Sequence, residues 1–146
     1  MNITILKKEA LEINNLLTEY IEEHNNFLKS AGTFISLFKK VNFNKLAEDI
    51  YILLVKIQDE KSKLDKLRRL SGSEKEKQFA DCLFLYSEAL TETVTLLFNM
   101  AHALKEKAKG NKLSFQQHME NDKKYKESIK VYQKYGEELN NLYQAL

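Results

Sequence analysis

Three histidines, one cysteine and 21 acidic side chains are the groups from which this 146-residue chain could build a catalytic or metal centre. A carboxylate-bridged metal bundle requires Glu-x-x-His pairs on facing helices. The residues three before His24, His102 and His118 are Ile21, Asn99 and Phe115, so that motif is missing at every histidine. No His-x-x-x-His zinc pattern is present either. His24 falls on an apolar stripe and is read as a hydrogen-bonded structural histidine; His102 and His118 are expected at the surface or its boundary.

Cys82 lies between Asp81 and Leu83 in an apolar run, where it serves as a small buried hydrophobe rather than a nucleophile with a depressed pKa. Gly-x-Ser-x-Gly, phosphate-loop and dinucleotide motifs are absent. The carboxylate pairs Glu22–Glu23 and Glu137–Glu138 are adjacent in sequence, and neighbours on a helix point apart rather than at one substrate. No metal, cofactor or small-molecule substrate is therefore expected, and the chain reads as a non-enzyme.

Charge offers a second kind of chemistry. The net charge is +2, and the two halves balance: residues 1–73 carry 12 basic and 10 acidic side chains, residues 74–146 carry 11 of each. Locally the signs separate. Glu9, Glu12, Glu19, Glu22 and Glu23 fall in a stretch without a Lys or Arg. Around the middle of the chain Lys66, Arg68, Arg69, Lys75 and Lys77 gather and form a candidate anion-binding cluster. Lys105, Lys107, Lys109 and Lys112 form a second basic region, with Lys123 and Lys124 close by in sequence. Lysines near helix C-termini complement the helix dipole, and that is the simpler account of both clusters. The competing account is binding to phosphate-rich partners, either an anionic membrane or nucleic acid. Base readout has little to work with, since the only arginines are Arg68 and Arg69.

The elements that must position these groups are helical. The chain is 43% hydrophobic and 30% charged, with no proline, no tryptophan and four glycines. That is too apolar for disorder and poorly suited to β-sandwiches or barrels. No apolar run approaches the ~20 residues of a membrane span, the first residues do not form a signal or transit peptide, and the single cysteine fits a reducing compartment. The expected setting is cytoplasmic; the abundance of Lys and Asn fits an AT-rich bacterial genome.

Apolar residues recur at a helical period through nearly the whole chain. Over 4–30 the stripe is Leu6, Ile13, Tyr20 and Phe27, with Ala10, Leu17 and His24 interleaved, and Gly32 is placed as the stop. Phe34, Leu37, Phe38 and Val41 make about two turns; either Asn42 or Asn44 can cap a new helix, and whether 34–70 is one helix kinked near Asn42, the favoured reading, or a short and a long one stays open, with Leu46, Ile50, Leu53, Leu54, Ile57, Leu64 and Leu67 following. Ser73 with Glu76 predicts a capping box opening a helix over 74–109, striped by Phe79, Leu83, Tyr86, Leu90, Thr93, Leu97, Met100 and Leu104. Gly110 ends it. Ser114 with Gln117 predicts a second box and a helix over 115–145, in which Gly136 implies a close helix contact. The expected fold is all-α: one domain over 1–146, an elongated antiparallel up-and-down helical bundle of three long helices plus a short segment near 34–42, or four helices outright.

The helix over 74–109 is apolar on more than one face. Such a helix either sits centrally or keeps a face for another chain. Phe84, Leu85, Leu96 and Phe98, with the off-stripe Tyr135, are accordingly the candidate interface. The function expected from these features is a non-enzymatic protein–protein interaction module, whose partner is itself as a homodimer or another helical protein. The alternative is a peripheral binder of anionic membrane or nucleic acid through the basic helix tips.

Overall fold

A computed structural model describes residues 1–31 and 42–146. Among the described residues there are four α-helices and no strand: α1 (Ile3–Ala31), α2 (Phe43–Leu67), α3 (Glu74–Ala108) and α4 (Phe115–Gln144). Gly32 and the short segment near 34–42, up to Val41, lie outside the described residues. At ~1.5 Å per residue the helices are about 38 to 52 Å long.

Each start carries a side-chain cap that satisfies an orphan backbone N–H. Asn2 Oδ1 accepts from the Ile5 N–H at 2.9 Å, and Asn42 Oδ1 accepts from Lys45 at 3.1 Å. Asn42 is thus the start of a new helix, as its type suggested. Ser73 and Glu76 form the full capping box, with bonds of 3.1 and 2.8 Å. At α4 only half of the expected box is made. Ser114 Oγ accepts from Gln117 N–H at 3.1 Å, and no return bond from the Gln117 side chain is present among the described residues. The α3 end is a Schellman motif: Gly110 N–H donates to Lys107 O and Asn111 N–H to Glu106 O. Gly110 adopts φ +95°, a left-handed conformation that favours glycine.

Contacts between the helix ends fix the topology. The Met1 side chain reaches Gly72, Lys7 Nζ lies 5.5 Å from the Tyr143 ring centroid, and Phe79 sits against the same ring. The starts of α1 and α3 and the ends of α2 and α4 therefore share one end of an up-down-up-down bundle. The helix α3 is the hub, packed against α1, α2 and α4. The helix α1 packs on α2 and α3, whereas no Cα of α1 comes within 8 Å of a Cα of α4.

That asymmetry explains the burial pattern. The core stripe predicted on α1 is buried at Leu6, Ile13, Tyr20 and Phe27, joined by Leu16. The helix α3 buries fourteen residues and α4 only Tyr125, Ser128 and Tyr132. Of the other apolar positions of α4, Ile129, Leu139 and Leu142 are half-buried, whereas Phe115, Met119, Val131 and Tyr143 are exposed. Gly136 makes the close contact its presence implied: a Cβ there would lie 3.2 Å from Cε2 of Tyr86.

Candidate functional site

The gap between α1 and α4 is an open groove of about 870 Å³. One wall is α1, contributing Ala10, Leu11, Leu17 and Ile21; the other is α4, contributing Tyr132, Gly136, Leu139 and Tyr143. Phe79 and Tyr86 of α3 line it between them. The α1 positions from Lys7 to Ile21 extend over ~21 Å, about four helical turns. Apolar side chains stand open along its rims, Leu11 being 59% exposed, Ile21 46% and Tyr143 44%. Lys7 and Glu137 bring one charge of each sign, so the groove has no net charge.

A cluster of neutral aromatics bridges the two walls toward the other end. The Tyr125 hydroxyl is hydrogen-bonded to the Tyr20 hydroxyl and to Nδ1 of His24. Burial lowers the pKa of His24, which favours the neutral ring. Tyr132 stands edge-on to both Tyr20 and Tyr86, with centroids 5.8 and 6.1 Å apart. Burial raises the phenols of Tyr20, Tyr86, Tyr125 and Tyr132 above their ordinary range. Ser128 donates to the Tyr125 carbonyl and accepts from Thr93 Oγ1 at 3.0 Å. Every polar group in this cluster is uncharged at neutral pH, so it can bind or stack but holds no poised nucleophile. Cys82 is also inert: burial, then the charge of Glu138, pushes its thiol up to about 11.

The candidate interface predicted from sequence is scattered. Phe84 is buried by its own chain, under the Arg68 guanidinium at 4.0 Å from the ring centroid; it is not an exposed contact, because a central α3 spends its extra apolar faces on its neighbours. Leu96 and Phe98 are half-buried against the core, with Phe98 between Tyr51 and His102. Leu85 remains 38% exposed and lies with Tyr135 in a shallow depression that also includes Lys61, Glu88 and Val131. Tyr135 is itself half-buried.

The basic cluster does gather at the α2–α3 turn. There Arg68 and Arg69 both bond Asp65, at 2.8 and 3.0 Å, which engages one N–H of each guanidinium and offsets part of their charge. Lys66, Lys75 and Lys77 are exposed and without an ion pair among the described residues.

Sequence reasoning missed the groove. The available signals were Gly136 and a second apolar line on α1 (Leu11, Leu17, Ile21) beside the core stripe. The described residues hold no cluster of His, Cys, Asp and Glu able to ligate a metal, and no described helix is long and apolar enough to cross a membrane. Comparison of the chain with protein-family models, with curated proteins and with solved structures finds no match.

Proposed function

We propose that this protein is a helical interaction module that self-associates through the α1–α4 groove. The observation that carries this is an apolar groove left open where a four-helix bundle ordinarily closes its last seam. Exposed apolar grooves of this kind mark interaction sites. A second copy suits it, because one face bears both the groove and the apolar rims Leu11, Ile21 and Tyr143. Twofold pairing then sets the rim of each copy into the groove of the other, an isologous arrangement. With Lys7 and Glu137 cancelling, like copies do not repel there. The neutral character of the surrounding hydroxyls supports binding over catalysis. The basic α2–α3 turn supports a membrane or nucleic-acid role less well, since Asp65 offsets part of the charge of both arginines.

Sedimentation over a range of concentrations tests this. The expected result is a reversible dimer that Leu11→Lys with Ile21→Lys converts to a monomer. Both positions are exposed, so thermal unfolding of the variant monomer should remain cooperative. A monomer at every concentration overturns self-association through the groove.

A further inference from the structure

The α1–α2 seam contains a group that its own chain leaves unsatisfied. Glu60 of α2 is only 4% exposed, and its Oε1 is buried without a hydrogen-bond partner among the described residues. The same is true of Oε2 of Glu9 on α1, whose carboxyl lies within hydrogen-bonding reach of Glu60. Two ionised carboxylates accept only and cannot bond one another; a single proton between them satisfies both buried oxygens. Glu12 of α1 adds a further negative charge toward Glu60. Among the described residues the cation facing the pair is Lys63, 3.7 Å from Glu60 Oε2 on a 68% exposed side chain, where water screens it.

We propose that a proton shared by Glu9 and Glu60 fastens α1 to α2, and that rising pH releases α1 from the bundle formed by α2, α3 and α4. The release of α1 stands on the seam alone; that it also dismantles one wall of the groove, and with it the dimer, rests on the self-association proposed above.

The direction follows from linkage. Burial first, then the hydrogen bond and charge of Glu9, push the Glu60 carboxyl up to about 8. The docked state therefore holds a proton that the released state gives up at any pH above the ordinary carboxylate range. Docking is strongest at acidic pH and is lost as pH rises toward the docked value. A second carboxyl acts with the same sign. Glu23 has a buried, unpartnered Oε2, and burial, then Asp49 and Glu22, raise its pKa. No neutral aromatic of the α1–α4 bridge ionises in this range, since burial raises Tyr20, Tyr125 and Tyr132. His24 acts oppositely and only lower down: burial lowers its pKa, so its protonation weakens α1 on the acid side of its ordinary 6.5.

The experiment is hydrogen exchange of the full chain between pH 7 and 8, above the imidazole range, corrected for the intrinsic pH dependence of exchange. Amides of α1 should lose protection by up to about tenfold per pH unit, the response of a one-proton linkage, while the α3 core changes much less. In Glu60→Gln the amide donates to Glu9 without any proton, so most of that slope should vanish and α1 should be better protected at pH 8 than in the unmodified protein. Glu9→Gln supplies the donor from the other side and should do the same. A flat α1 profile in the unmodified protein overturns the proposal, as does an undiminished slope in both variants. Sedimentation at the same pH values separates the two ideas. If α1 is released while the dimer mass persists, the groove is not the dimer interface and the proton lock stands; if α1 stays protected, the lock fails whatever the mass.

Discussion

The α1–α2 and α3–α4 seams are built on the same hydrophobic periodicity and finished with opposite chemistry. Between α3 and α4 the buried polar groups include hydroxyls that find partners, Thr93 donating to Ser128 and Ser128 to the Tyr125 backbone carbonyl, and Gly136 lets Tyr86 lie against α4. Between α1 and α2 they are carboxyls: Glu60 facing Glu9, and Glu23 near Asp49. Hydroxyls both donate and accept, so they are satisfied at any ordinary pH. Carboxyls are satisfied only while protonated or paired. An apolar stripe supplies the surface each helix buries, whereas, on the proton lock proposed above, the groups at its edge set the conditions under which the helices stay together.

The largest way to break this contrast is at α3, the hub that packs against α1, α2 and α4. Leu90 of α3 has no exposure, and Leu90→Ala should cost about 2–5 kcal/mol through lost burial and a residual cavity. Urea unfolding should show one weakened transition, with α1 and α4 failing together. A smaller perturbation belongs to one seam. A branched side chain at Gly136 meets Tyr86, where even a Cβ would stand at 3.2 Å, so Gly136→Val should cost about 1–3 kcal/mol by overpacking. It should leave the pH dependence of α1 protection unchanged; a loss of that dependence would show that the seams are coupled. The smallest effect is expected at the exposed pair Lys56–Glu19, 3.2 Å apart between α2 and α1. Lys56→Ala should shift stability by no more than about 1 kcal/mol, and raising the salt concentration should shrink even that.

Much of the fold was legible from local chemistry. The capping box at Ser73–Glu76 and the stop at Gly110 need only a few consecutive residues, and both form. The apolar excess of α3 identified a helix with several neighbours, though the choice between a central position and a free interface was left open. Phe84 illustrates why: its exposure depends on Arg68, which comes from the preceding helix and folds over its ring. Tyr125, Ile129 and Tyr132 recur at a helical spacing in the sequence, but nothing in that spacing announces that α1 stands clear of α4 and opens a groove beside it.

Glu60 marks the limit most clearly. Within Asp59-Glu60-Lys61 it reads as part of a solvated, charged face, and only the approach of α1, carrying Glu9, converts it into a buried group lacking a partner. The sequence by itself determined that the described chain is helical, where α3 begins and ends, and which stripes of α1, α2 and α3 turn inward. These depend on side-chain periodicity and on caps within one or two turns. The tertiary structure alone decided which stripes meet, which seam stays open and which carboxyl is buried. Burial of a charge or exposure of a groove is a property of two helices at once, and the spacing of residues along one helix does not encode the distance to the next.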